Sequence, residues 1–173
     1  LCCHNDARIA AAACRWLNFD AGSFCLESLV EILLVEDNPD DAELALHALS
    51  KEHFSNRVFH VSDGLEALDF LRREGKYADR SADDPPRLVL LDMKLPKMSG
   101  IEVLKQIRED RRLARIPVVI LTSSKESQDI GASYDCGANS YIVKPVDFDQ
   151  FRRVVREVGL YWAVLNQPVQ QRV

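Results

Sequence analysis

The sequence predicts an α/β domain built on a doubly wound, five-stranded parallel sheet in the strand order 2-1-3-4-5. Ile32-Leu33-Leu34-Val35 and Leu88-Val89-Leu90-Leu91 are short, unbroken apolar runs, as expected of strands buried on both faces. Segments with helical spacing of apolar residues follow the strand runs, so that strands and helices alternate five times along the chain. Crossovers that carry a helix join parallel strands and are right-handed, and 2-1-3-4-5 is the simplest order that satisfies them. That order sets strands one and three side by side at the switch point, where such sheets bind ligands beyond the strand ends.

Strand one ends in Glu36-Asp37-Asn38-Pro39-Asp40-Asp41, where Asn38 caps the next helix and Pro39 takes its first position. Ala42, Ala45, Leu46 and Leu49 recur at i, i+3, i+4 and i+7 and predict the inward stripe of that helix. Arg57 to Val61 reads as strand two, and Asp63-Gly64-Leu65-Glu66 opens a helix with Leu65, Leu68 and Leu71 facing inward. Gly75 to Pro86 is a polar linker and predicts a mobile surface loop. Strand three delivers Asp92 and turns at Pro96; Ser99-Gly100-Ile101-Glu102 then has the spacing of a capping box. Pro117 to Leu121 forms strand four and stops at Thr122-Ser123-Ser124, where Ser123 to Glu126 again fits a capping box before a weak helix to Cys136. Asn139 to Val143 is strand five, ending at Lys144-Pro145, and Asp147 caps the last helix.

Composition narrows the function. The 173 residues are 47% hydrophobic and 28% charged, enough for one good core. A net charge of -5 without a clustered Lys/Arg excess argues against a nucleic-acid surface. No apolar run approaches the roughly 18 to 20 residues that span a membrane. Cys2, Cys3, Cys14 and Cys25 match no C-x-x-C spacing, Cys136 reads as a packing residue, and a reducing cytoplasm is the expected location. Residues 1–28 read as an extension without assigned function, with Arg8, Arg15 and Asp20 interrupting any signal-peptide core; residues 29–160 form the domain and 161–173 a tail continuing the last helix. His47, His53 and His60 are expected on helix one and around strand two, away from the chemistry.

The strand order gathers Glu36, Asp37, Asp92, Thr122 and Lys144 on one edge of the sheet. Three neighbouring carboxylates raise at least one pKa unless a cation sits between them, and a hard divalent ion held by carboxylates, waters and phosphate oxygens resolves the conflict. An aspartate is ionised at neutral pH, so Asp92 can attack phosphorus without a general base. The metal and Lys144 would balance the charge of the transferring group, with the Thr122 hydroxyl and the Ser123 backbone N–H as further donors.

The runs Leu34-Val35-Glu36-Asp37-Asn38, Leu91 to Pro96 with Gly100, Leu121-Thr122-Ser123 and Tyr141-Ile142-Val143-Lys144-Pro145 stand in order at four strand ends. Over about residues 30 to 160 the sequence resembles the receiver domains of two-component response regulators, which have a flavodoxin-like fold. The resemblance implies that Asp92 accepts a phosphoryl group from a sensor histidine kinase. It implies Mg²⁺ (or Mn²⁺) bound by Asp37, Asp92 and the Lys94 backbone carbonyl, with Glu36 acting through a water. Lys144 would contact the phosphate, Thr122 would follow it, Tyr141 would swing inward as a switch, and the Lys144–Pro145 bond would be cis. Lys94 and Ser124 depart from commoner versions of the pattern; a long cation at Lys94 is expected to occlude the hydrolytic water and slow loss of the phosphoryl group.

Phe151, Val154, Val155, Val158, Trp162 and Leu165 form an apolar stripe, and Leu160, Tyr161 and Val164 add apolar surface beside it. About nineteen residues reach about 28 Å, longer than covering the sheet requires. Phe151, Leu160, Tyr161, Trp162 and Leu165 are therefore the expected homodimer interface. That ending looks like the stand-alone regulators that serve phytochrome-type kinases. Output is expected through a partner protein or changed self-association, without multiple turnover. An aspartyl-phosphate phosphatase or phosphotransferase lacks its second acid, because Lys94 stands there; a nucleotide- or flavin-binding module lacks both glycine-rich motifs. A phosphate-independent adaptor would leave the acid set unused.

Overall fold

The computed structural model describes residues 30–50, 56–80 and 85–167. The expected N-terminal extension with its four cysteines, His53 and the end of the tail lie outside these residues. The sheet has five parallel strands in the order β2-β1-β3-β4-β5: β1 Val30–Val35, β2 Asn56–Val61, β3 Leu88–Leu91, β4 Val118–Thr122 and β5 Ser140–Val143. The helices are α1 Pro39–Ser50, α2 Gly64–Arg72, α3 Gly100–Glu109, α4 Ser127–Asp135 and α5 Phe148–Leu160, and a π-helical turn, Tyr161–Leu165, extends the last. None of the described helices is long and apolar enough to cross a membrane.

The period of two along each strand divides the core into two layers. Leu33, Val35, Val89, Leu91, Val118 and Ile120 pack on one face against Leu68, Phe70, Val103, Leu104 and Ile107 of α2 and α3. Ile32, Leu34, Leu88, Leu90, Val119 and Leu121 face the other way onto Ala42, Ala45, Ala48 and Leu49 of α1 and Phe151 and Val155 of α5. Every residue of β3 and β4 is buried, which is why those strands read as continuous apolar runs.

Helix starts follow their caps. Asn38 Oδ1 accepts from the backbone N–H groups of Asp40 and Asp41, Asp63 from Glu66, and Asp147 from Gln150. Ser99 and Glu102 form the expected capping box. The box expected at Ser123 does not form: α4 begins at Ser127 after Glu126, with no side-chain cap, and the neighbouring Ser124 hydroxyl donates to Asp129 at 2.5 Å.

Three further expectations are corrected. Leu65 is 45% exposed, because α2 turns Gly64, Ala67, Leu68 and Leu71 inward and the next residue after Gly64 lies about 100° away. The Gly75 to Pro86 segment is not a free loop over its first half. Gly75–Tyr77 forms a 3₁₀ turn, and Arg80 donates to Glu31 Oε2 (2.5 Å) and the Phe70 carbonyl (2.8 Å) while its guanidinium lies 3.5 Å from the Phe70 ring centroid. Phe151 is 3% exposed and belongs to the α1/α5 core layer, so it is not available to a partner; burying a phenyl ring in that layer outweighs leaving it on a helix surface. Cys136 is half-buried and packs against the core as expected.

Candidate functional site at the carboxyl edge of the sheet

The strand ends deliver the site. Register places Val35 opposite both Val61 and Leu91, and Thr122 opposite Val143. The residues immediately after β1, β3 and β5, namely Glu36, Asp37, Asp92 and Lys144, therefore emerge on one edge. Backbone bonds hold them there: Asp92 N–H donates to the Val35 carbonyl (3.0 Å), Glu36 N–H to Val61 (3.1 Å) and Lys144 N–H to Thr122 (2.7 Å). Gly100 closes the turn behind Asp92; a Cβ there would lie 2.1 Å from the Asp92 carbonyl oxygen, so no other residue fits. Lys97, in the left-handed region at φ 64°, donates to Asp63 Oδ2 at 2.5 Å and ties the β3–α3 loop to the start of α2.

One carboxylate oxygen from each of Glu36, Asp37 and Asp92 lies within 4.8 Å of the others. Glu36 and Asp92 are buried and Asp37 is exposed, so the cluster opens to solvent on one side. The Lys144 ammonium donates to Glu36 Oε2 at 2.6 Å, Asp92 Oδ2 at 2.7 Å and Asp41 Oδ2 at 3.0 Å. The other Glu36 oxygen accepts from Asn38 N–H (3.2 Å), and Asp92 Oδ1 from Lys94 N–H (3.2 Å).

The electrostatics follow from burial. Glu36, 2% exposed, has its pKa pushed up to about 7 by burial; the Lys144 hydrogen bond and charge pull it down, and the Asp92 charge pushes it up. Burial alone would depress the Lys144 ammonium, but the hydrogen bonds and charges of Asp92 and Glu36 together outweigh it and hold Lys144 above the ordinary lysine range. Three hard oxygen donors with an opening to water fit a small divalent cation, and no sulfur or imidazole ligand competes among the clustered groups.

Thr122 is fully buried at the end of β4, with its Oγ1 3.4 Å from the Ser124 N–H. Ser123 is exposed beside it. The Tyr141 hydroxyl donates to the Ser124 carbonyl at 3.1 Å, joining β5 to the β4–α4 loop. The Lys94 side chain is exposed. The Lys144–Pro145 bond is trans, as are all described peptide bonds, so the cis expectation is corrected. The isomers at proline differ by only about 0.5–1 kcal/mol, and Lys144 reaches its three carboxylates from the trans form.

Two contributors escaped the sequence reading. Asp41 supplies the third carboxylate on Lys144; its only signal was a position four and seven residues before the buried Ala45 and Ala48, on the sheet side of α1. His60 was expected away from the chemistry, yet its ring nitrogen lies 2.8 Å from the Glu36 carbonyl oxygen, since β2 runs beside β1 to the same edge.

A carboxylate able to act as a nucleophile, two further acids and a lysine at the switch point of a doubly wound sheet define the class of phosphate-handling α/β domains. Comparison with known proteins narrows it: residues 32–156 match the response regulator receiver domain, and the chain belongs to that family, the phosphorylation-dependent regulators of two-component systems. It is 44% identical over 137 residues to a probable methanogenesis regulatory protein, FilR2, of Methanothrix harundinacea, covering 79% of this chain and 85% of the relative. The phosphorylated cyanobacterial phytochrome response regulator RcpA is similar in structure, with TM-score 0.78 and 40% identity over 83% of this chain and all of the other. The Mn²⁺-bound form of response regulator Rcp1 gives TM-score 0.76 and 34% identity over 82% and 99%. Response regulator Rcp1 of Synechocystis sp. is 37% identical over 131 residues, 76% of this chain and 87% of the relative.

Proposed function

We propose that Asp92 is the phosphoacceptor and that the chain is a single-turnover cytoplasmic switch charged by a histidine kinase of the phytochrome type. The carrying observation is the Lys144 ammonium seated 2.7 Å from Asp92 Oδ2 with Glu36 and Asp37 alongside. An Asp92 carboxylate oxygen forms a bond to phosphorus as the bond between phosphorus and the donor imidazole nitrogen breaks, and the imidazole leaves with the electron pair. Lys144 is placed to follow charge from Asp92 onto the phosphoryl oxygens, and Thr122 and the Ser123 N–H are the further donors.

Glu36, Asp37, Asp92 and the Lys94 carbonyl would hold Mg²⁺ or Mn²⁺, which when bound offsets the negative charge gathered there. A metal-bound and a phosphorylated relative of the same fold support both assignments. Drawing Thr122 toward the phosphoryl group disturbs the Ser124 segment that Tyr141 holds, which makes Tyr141 the reporter to the β4–α4 and β5 face.

Leu160, Tyr161 and Leu165 are exposed in one short stretch, with half-buried Trp162 stacked edge-on against Tyr161 at 5.2 Å, and these are the proposed dimer contacts. Incubation with Mg²⁺ and acetyl phosphate tests the central reading: one acid-stable, base-labile label per chain is expected, lost in Asp92→Asn. Persistence of the label in that variant refutes it. Sedimentation that finds only monomer at tens of micromolar, with and without beryllofluoride, refutes the dimer.

A further inference from the structure

We infer that Asp41 is a positioning residue that holds the Lys144 ammonium at the α1 side of the site, where a divalent cation can enter between Glu36, Asp37 and Asp92; this rests on the phosphoacceptor reading above. Lys144 is the cation that neutralises Glu36 and Asp92 in this structure, at 2.6 and 2.7 Å, and both acids are also in the metal-binding cluster. Metal and lysine therefore compete for the same two carboxylates. Asp41 stands outside that cluster, 3.0 Å from the ammonium, and is the one carboxylate that Lys144 keeps when Glu36 and Asp92 turn to a metal.

Geometry gives Asp41 this place. Its backbone N–H is fixed by the Asn38 cap at 3.3 Å, and α1 is locked against the sheet by Ala42 and Ala45 on either side of the turn. Its side chain is 30% exposed while that of Lys144 is 8% exposed, so Asp41 faces the buried ammonium from the solvent rim. Without it, Lys144 has Glu36 and Asp92 as its ion-pair partners and nothing to hold it when a metal draws them away, so it yields them less readily. Asp40 is a matched control: it is exposed on the same helical turn, carries the same charge near the same helix N-terminus, and makes no ion pair with Lys144.

The test is Mn²⁺ binding to the unphosphorylated full chain, with free Mn²⁺ read by electron paramagnetic resonance. Asp41→Asn is expected to raise the dissociation constant about tenfold and Asp40→Asn about twofold, the latter being the effect of one lost solvent-screened charge. In a Lys144→Ala background the Asp41→Asn effect is expected to fall to about twofold, because the competitor is gone. Asp41→Glu, which can still reach the ammonium, is expected to recover most of the affinity, and circular dichroism checks that each variant is folded. Equal effects of Asp41→Asn and Asp40→Asn, or an undiminished effect in the Lys144→Ala background, would overturn the positioning role while leaving the metal site intact. Failure of the unaltered chain to take up Mn²⁺ would overturn the metal site and this role together.

Discussion

The burial of Glu36 makes the metal-free protein less stable at pH 8 than at pH 5. Its carboxyl has an ordinary pKa of 4.5 and is pushed to about 7 in the fold, chiefly by burial. A carboxyl whose folded pKa is raised stabilises the fold fully below 4.5, and that contribution is lost as pH rises through about 7. At about 1.4 kcal/mol for each tenfold change in proton affinity, the loss amounts to about 3 kcal/mol between pH 5 and 8. Lys144, held above the ordinary lysine range, stays charged throughout this window and adds no slope. The assay is reversible urea unfolding with a chelator present, comparing the unaltered chain with Glu36→Gln, in which the Glu36 carboxyl is gone and the rest of the chain is the same. The unaltered chain should lose about 3 kcal/mol more than the variant over this range. Saturating Mg²⁺ should shrink the difference, because a cation among carboxylates favours ionised Glu36. Parallel pH dependences for the two chains would show that Glu36 is ionised in the apo fold and that the burial reasoning is wrong.

Arg80→Ala leaves the buried Glu31 with Arg57, at 3.7 Å, as its remaining ion-pair partner among the described residues and takes from the Phe70 carbonyl the better of its two donors, leaving the Arg73 N–H at 3.3 Å; a loss of about 3 kcal/mol is expected in urea unfolding, and a loss below about 1 kcal/mol would make the contact an ordinary surface pair. Gly100→Ala drives a methyl group onto the Asp92 carbonyl and should cost at least about 3 kcal/mol, together with weakened Mn²⁺ binding in whatever fraction remains folded. Lys94→Asn removes the long cation two residues after Asp92 and should shorten the phosphoryl half-life at Asp92; an unchanged or longer half-life removes Lys94 from control of hydrolysis.

The strands and most helix starts were legible because their causes are local. A strand covered on both faces has no polar positions, so β3 and β4 announce themselves as apolar runs, and Asn38, Asp63, Ser99 and Asp147 cap because the donors they satisfy lie two or three residues away. What failed depended on distant partners. The Gly75 to Pro86 segment looks like solvent-exposed linker until Glu31, 49 residues earlier, supplies the carboxylate that fixes Arg80. Ser123 carries the capping pattern, and only the fold shows that α4 starts later and that the neighbouring Ser124 donates its hydroxyl to Asp129. Phe151 shares its helical stripe with surface residues, and only the packing of α5 over the sheet separates them.

The site divides along the same line. Glu36, Asp37, Asp92 and Lys144 were visible because parallel strands must end together, so residues one or two beyond each strand converge whatever the loops do afterwards. Asp41 reaches the same lysine from a helix and His60 meets Glu36 from the neighbouring strand, and both depend on side-chain reach across about 3 Å that no spacing rule encodes. Strand ends therefore fix which charges meet, while helix and neighbour-strand residues fix how they are shared. In this chain a buried lysine divided among three carboxylates is the arrangement a phosphoryl group at Asp92 would redistribute, and its balance rests as much on α1 as on the sheet.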